Sequence, residues 1–276
     1  TAAYTTDGAD TDGSVTYSIA FSDLSSNAGT AVTSGTGSVT FDKTAPTLSS
    51  VAMVSNNTTT TLAKAGDVLT VTFTADTPIQ TPVVTFESGS AAVTDTSITY
   101  VNTSGNIWTA AYTTDASDTD GSVTYSIAFN DLSSNAGTAV TGGGVTFDDT
   151  VPTLSSVAIA SNNSTTTLAK VADVVTLTFT ASETISTPIV TFQSGSAAVT
   201  DTSVTYVNTS GTTWTAKYTA NTSDTAGTVA YSIAFSDSVG NAGTAVTSGS
   251  GSVTFDKTAP AVSSFTMSDT DLKSGD

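Results

Sequence analysis

The side chains able to do chemistry in this sequence are almost all carboxylates. Twenty-two Asp and two Glu stand against six Lys, with no Arg, His or Cys, for a formal charge of −18. With no thiol or imidazole there can be no disulfide, no zinc site of the usual ligand type, and no Cys–His or Ser–His–Asp nucleophile. Glu87 gives way to Gln193 one repeat later, so no pair of carboxylates recurs as a glycosidase would need, and no enzyme is expected. What remains is oxygen-donor chemistry. Asp118 and Asp120 are spaced Asp-Xaa-Asp before Gly121, and Asp131 with Asn135 and Asp237 with Asn241 are each four residues apart. Such donors, with no nitrogen or sulfur competitor, suit calcium, which takes six to eight oxygens at about 2.3–2.6 Å. The same charge repels phosphate backbones and anionic lipid, so nucleic-acid and membrane-surface partners are disfavoured. No uninterrupted apolar run approaches the length of a bilayer-spanning helix.

The elements that position these residues are repeated. Phe41-Asp42-Lys43-Thr44-Ala45-Pro46 returns as Phe147-Asp148-Asp149-Thr150-Val151-Pro152 and again as Phe255-Asp256-Lys257-Thr258-Ala259-Pro260, at spacings of 106 and 108 residues. The extra two residues fall in a Gly/Ser turn, Ser248 to Ser252 against Gly142 to Gly144. A period this long is that of a whole small domain, not of a solenoid unit. The expected organisation is two complete repeats, 42–147 and 148–255, between the last part of one (1–41) and the first part of another (256–276). The final Lys273-Ser274-Gly275-Asp276 echoes Lys64-Ala65-Gly66-Asp67. The sequence is expected to be a stretch of a longer chain.

Within each repeat the hydrophobic period is two. Val123, Tyr125, Ile127 and Phe129 alternate with small or polar residues, and Val229, Tyr231, Ile233, Phe235 and Val15, Tyr17, Ile19, Phe21 repeat the pattern. Leu69, Val71 and Phe73, then Val84 with Phe86, Ile98 with Tyr100, and Trp108, Ala110 and Tyr112 mark further strands. Asp-Gly, Asn-Ala-Gly and Ser-Gly pairs separate them. No 3.6-residue period of useful length is present. About seven short strands in about 107 residues predict an all-β, two-sheet sandwich, with each Trp a core anchor.

The Phe-Asp-Lys-Thr-Ala-Pro linker, the Gly66-Asp-Val-Leu-Thr-Val-Thr-Phe-Thr74 strand and the Phe235-Ser-Asp-Ser-Val-Gly-Asn-Ala-Gly243 turn resemble bacterial Ig-like tandem repeats. Such repeats occur in giant surface adhesins and in some phage structural proteins. The resemblance implies tandem immunoglobulin-like β-sandwich domains in an elongated rod. It further implies a structural extender at the cell surface, with neighbouring repeats as its partners and calcium at the junctions. With strands in the order A to G, Asp42, Asp76, Asp131 and Asn135 would converge on one pole of the first complete repeat. Asp148, Asp149, Glu183, Asp237 and Asn241 would do so at the next junction, approached from the preceding repeat by Asp67, Asp115, Asp118 and Asp120.

A second role competes for these residues, because Asp and Asn in Asp-Gly and Asn-Ala-Gly turns also serve local hydrogen bonds and positive φ. An EF-hand is excluded, since the downstream Glu is missing after Asp120 and the third copy reads Asp224-Thr-Ala226-Gly227. The alternative to a spacer is a self-assembling filament or phage fibre in which the repeats themselves make the contacts with other copies.

Overall fold

The computed structural model describes residues 1–266; the echo at 273–276 lies outside them. No helix occurs among the described residues. The chain divides into two compact units, Thr1–Thr150 and Val151–Asp276.

In the first unit, β1 (Gly13–Ser14) pairs antiparallel with β2 (Thr40–Phe41). Nine further strands follow: β3 (Leu48–Ser55), β4 (Leu62–Ala63), β5 (Val68–Ala75), β6 (Val83–Ser88), β7 (Ala91–Ala92), β8 (Thr99–Ser104), β9 (Ile107–Thr113), β10 (Gly121–Ala128) and β11 (Val140–Phe147). They form two sheets, ordered β3-β5-β9-β8 and β4-β11-β10-β6-β7. All pairings are antiparallel except β4 with β11. The first edge strand thus begins in one sheet and, as β4, finishes in the other. Strand order ABED against A′GFCC′ is that of an immunoglobulin-like sandwich.

The second unit repeats it with β12 (Leu154–Ser161), β13 (Leu168–Ala169), β14 (Val174–Ala181), β15 (Ile189–Ser194), β16 (Ala197–Ala198), β17 (Thr205–Ser210), β18 (Thr213–Thr219), β19 (Gly227–Ala234) and β20 (Thr254–Phe255). The sheet orders are β12-β14-β18-β17 and β13-β20-β19-β15-β16. The two-residue insertion reshapes only the last strand. Ser250 N–H donates to Val157 O (2.8 Å) and Ile159 N–H to Ser250 O (3.1 Å), so this stretch bonds to β12 across the sandwich edge and β20 is cut to two residues.

Alternation places every second residue of β5, β9 and β10 inside. Across the β5–β9 ladder Leu69 faces Tyr112, Val71 faces Ala110 and Phe73 faces Trp108, so side-chain bulk varies along the inner face. The Phe86 and Tyr112 rings meet between the sheets with centroids 4.6 Å apart, as Phe192 and Tyr218 do at 4.8 Å. Phe73, Phe147, Phe179 and Phe255 are all but fully buried. Each such side chain contributes on the order of 1.5–3 kcal/mol of transfer free energy, enough for a core without cross-links. Trp108 and Trp214 are buried in these cores, as core anchors should be. In residues 1–41 no opposing sheet is present, and Val15, Tyr17, Ile19 and Phe21 are about half exposed where Val123, Tyr125, Ile127 and Phe129 are buried.

Candidate functional site

Among the described residues, the acidic side chains other than Glu87, which is on β6, lie in loops and turns between the strands, where backbone N–H groups have no ladder partner. Their first role in the structure is to supply acceptors. Asp42 Oδ1 accepts from Thr44 N–H (3.0 Å), Asp148 Oδ1 from Thr150 N–H (3.0 Å) and Asp256 Oδ1 from Thr258 N–H (2.8 Å), so each linker is folded by its own Asp.

In the first unit the linker after β2 is held from both sides. On the β1 side, Asp12 accepts from Lys43 N–H (3.0 Å) and from the Thr44 hydroxyl, and Lys43 Nζ donates to Gly8 O (2.8 Å) and Asp10 O (2.6 Å). On the β3 side, Asp76 accepts from Thr47 N–H (2.9 Å) and Thr47 Oγ1 (2.7 Å), while Asp76 N–H returns a bond to Thr47 O (3.0 Å). Asn135 Nδ2 donates to Asp42 O (3.1 Å), Ser133 Oγ to Asp42 Oδ2 (3.4 Å), and Pro46 is buried. Hydrogen bonds from Thr44 and Lys43 hold the Asp12 carboxyl below the usual range, and those from Thr47 do the same for Asp76.

Asp131 closes the β10–β11 turn by accepting from Asn135 N–H and Asn135 Nδ2, each at 2.8 Å. Burial works against its ionisation, but these bonds outweigh it and its carboxyl titrates low. In the second unit Asp237 Oδ1 accepts from the N–H groups of Val239, Gly240 and Asn241 at 2.7–2.9 Å, and Oδ2 from Asn241 Nδ2 (2.8 Å). The structure brings Glu183 and Asp237 together, with carboxylate oxygens within 4.8 Å. Among the described residues it does not gather Asp42, Asp76 and Asp131 into such a group.

At the opposite end, Asp67 Oδ2 accepts from Asn57 Nδ2 (2.8 Å) and Lys64 N–H (2.9 Å), as Asp173 does from Asn163 and Lys170 (both 2.8 Å). The buried Asp118 accepts from Thr94 N–H (2.8 Å), Thr94 Oγ1 (2.9 Å) and Asp115 N–H (3.0 Å). Asp120 accepts from Asp149 N–H (2.8 Å) and Thr150 Oγ1 (2.7 Å), repeating the Asp12 bonds, and Asp149 Oδ1 accepts from Ala65 N–H (3.2 Å).

Two features escaped the sequence reading. Asp76 aligns with Ser182, not Glu183: Ser182 Oγ accepts from Thr153 N–H (3.0 Å) in the place Asp76 takes against Thr47. A hydroxyl doing the carboxylate's work marks this as a linker-binding position. Lys43 and Lys257 form the second feature, both bound to loop carbonyls, Lys257 Nζ to Thr222 O (3.0 Å) and Asp224 O (2.7 Å). The recurrence of Lys at one linker position in two of three copies was the available signal.

No family model and no curated protein matches the chain. Solved structures similar to it include the titin I-band fragment I67–I69, 10% identical with a TM-score of 0.41, covering 78% of this chain and 66% of that one. Others are the titin Z1Z2 domains in complex with telethonin (14%, TM-score 0.28, covering 80% of this chain and all of that one) and the tandem Ig repeats of Dlar (15%, TM-score 0.25, 78% and 99%). This chain thus spans just under two thirds of the I67–I69 fragment. TM-scores below 0.5 carry no weight for function, and the immunoglobulin-like assignment rests on the strand order of each sandwich.

Proposed function

We propose that this chain is a length of a non-catalytic extender, the stalk of a repetitive extracellular bacterial adhesin, built from repeats 42–147 and 148–255 with parts of further repeats at 1–41 and 256–276. The observation that carries this reading is the linker at 42–47, hydrogen-bonded to Asp12 and the loop carbonyls before it and to Asp76 and Asn135 after it. A linker bonded on both sides transmits orientation, which a spacer needs and a flexible tether lacks. The Phe and Trp side chains of each complete sandwich are used in its core, with the acidic turns outside.

Calcium is proposed at the acidic ends. The donors there are all oxygen, and the neighbouring Glu183 and Asp237 carboxylates suit a hard divalent cation. Bound there, the ion would offset clustered negative charge. Calorimetry of the metal-stripped chain should show binding by millimolar calcium; none at that concentration removes calcium from the reading and leaves the spacer intact.

The alternative is a filament in which the repeats themselves make the contacts with other copies. Sedimentation velocity separates the two. The extender predicts one slowly sedimenting monomer at every concentration, whereas growth with concentration, or filaments in negative stain, would replace it with the fibre.

A further inference from the structure

Seven Asn-Xaa-Ser/Thr triplets, the acceptor pattern of N-glycosylation, begin at Asn56, Asn57, Asn102, Asn162, Asn163, Asn208 and Asn221. An acceptor must offer its amide nitrogen, and the transferase must reach the hydroxyl two residues on. In six of the triplets the fold uses one of these two groups. Asn57 Nδ2 donates to Asp67 Oδ2 and Asn163 Nδ2 to Asp173 Oδ2, both at 2.8 Å. Asn102 Nδ2 donates to Gly105 O (2.9 Å) and Asn208 Nδ2 to Gly211 O (2.8 Å), closing the β8–β9 and β17–β18 turns. At Asn56 and Asn162 the side-chain oxygen accepts from Val68 and Val174 N–H, each at 2.8 Å. There the hydroxyl of the triplet is spent on the neighbouring amide, Thr58 Oγ1 on Asn57 Oδ1 (3.2 Å) and Ser164 Oγ on Asn163 Oδ1 (3.3 Å).

Asn221 differs from all six. It lies exposed in the loop between β18 and β19. Its Oδ1 accepts from Ser223 N–H (3.0 Å) and Thr222 Oγ1 (3.3 Å), an Asx turn that folds the side chain over its own triplet. Among the described residues neither Asn221 Nδ2 nor Ser223 Oγ makes a hydrogen bond. The backbone beneath is held: Asn221 N–H donates to Asp224 Oδ2 (2.8 Å), and Lys257 Nζ donates to Thr222 O (3.0 Å) and Asp224 O (2.7 Å). In the repeat 42–147 this place belongs to Asp115, whose Oδ1 accepts from Ser117 N–H (2.8 Å) and whose N–H donates to Asp118 Oδ2 (3.0 Å). The turn therefore needs only a side-chain oxygen, and the amide nitrogen of Asn221 is surplus to the fold.

We propose that Asn221 is a glycan acceptor on the folded chain, its amide nitrogen taking a sugar from a nucleotide diphosphate donor through a separate glycosyltransferase. Asn221 Nδ2 bonds the anomeric carbon of the sugar and the bond from that carbon to the diphosphate oxygen breaks. The nucleotide diphosphate leaves with the electron pair, and one amide proton passes to a base of the transferase. The carbonyl oxygen keeps its bond to Ser223 N–H throughout, so the turn survives the modification. This site goes beyond the extender reading, and neither outcome of its test bears on that reading.

The test incubates the folded full chain with a soluble asparagine glycosyltransferase and UDP-glucose, and locates the added glucose by peptide mass spectrometry. Peptides released from the same chain by proteolysis serve as unfolded acceptors. The variants are N221D, which carries the residue of the other repeat, S223A, which keeps the N–H of the turn but loses the hydroxyl, and T222A, which copies Ala116. In the folded parent, glucose should appear on Asn221 at least tenfold above every other triplet, whereas the peptides should accept it at several. N221D and S223A should lose the Asn221 glucose with unchanged melting temperatures, and T222A should keep it. A folded chain that takes no glucose at Asn221 while its peptide does, or that takes as much at any of the other six triplets, would overturn the assignment.

Discussion

Gly137 offers the sharpest test of how the β10–β11 turn and the preceding linker fit together. A Cβ built on Gly137 would lie 2.3 and 2.5 Å from Phe129 Cε2 and Cζ, and 2.8 Å from Pro46 O. Carbon atoms in contact sit at about 3.5–4.0 Å, so G137A demands a shift of more than about 1 Å. Phe129 is buried in the core and Pro46 is buried in the linker, so neither can swing into solvent. Overpacking of this kind costs about 1–3 kcal/mol. For a repeat of this size that lowers the melting temperature by about 5–15 °C. Urea and thermal unfolding of the full chain, followed by far-ultraviolet circular dichroism, would measure it. G8A is the matched control, because a Cβ there meets nothing within 4 Å and the next repeat carries Ala116 at that position. If G137A unfolded within about 0.5 kcal/mol of the parent, as surface substitutions do, the close packing of ring, turn and linker would be wrong.

Three further outcomes are expected. Asp12, Asp76, Asp131 and Asp173 all titrate below the ordinary carboxylate range, so their bonds stabilise the fold fully above about pH 4 and the contribution falls as pH drops through their lowered values. Melting temperature should therefore be flat from pH 5 to 7 and decline steeply below about pH 4; a chain most stable at pH 3 would contradict these bonds. Asp76→Ser should keep the parental melting temperature, since Ser182 fills that role in the other repeat, whereas Asp76→Ala should lower it; equal loss in both would refute the equivalence. Phe179→Ala, at a fully buried position, should cost about 3–5 kcal/mol and unfold the repeat 148–255 first, visible as a separated low-temperature calorimetric transition.

Much of the sandwich was readable from period-2 alternation, because burying one face of each strand leaves that mark in the sequence. The long strands carried it: Leu69, Val71 and Phe73 in β5, and Val123, Tyr125 and Ile127 in β10. Strands of two residues carry none. β4 (Leu62–Ala63) and β7 (Ala91–Ala92) are too short to alternate, so the edge that crosses between sheets had no signal beyond the family likeness. The acidic ends were half readable. Which residues lie in turns followed from Asp-Gly and Asn-Ala-Gly, but what each carboxylate touches did not, since its commonest partner is a backbone N–H that every residue except proline owns. The equivalence of Asp76 with Ser182 and the seat of Lys43 on two carbonyls therefore leave no mark in residue type or spacing beyond the recurrence of Lys in the linker.

The excess of acid therefore has a structural origin before it has a chemical one. A sandwich of short strands has many turns, each leaving N–H groups without a ladder partner, and an ionised carboxylate satisfies two or three of them at once, as Asp118 and Asp237 do. Asp offers this without the longer reach of Glu, which agrees with 22 Asp against 2 Glu. Repeating the device in every copy accumulates negative charge at the repeat ends. Lysine at the linker position, Lys43 and Lys257, offsets part of it in two copies out of three, whereas the third carries Asp149 there and adds to it.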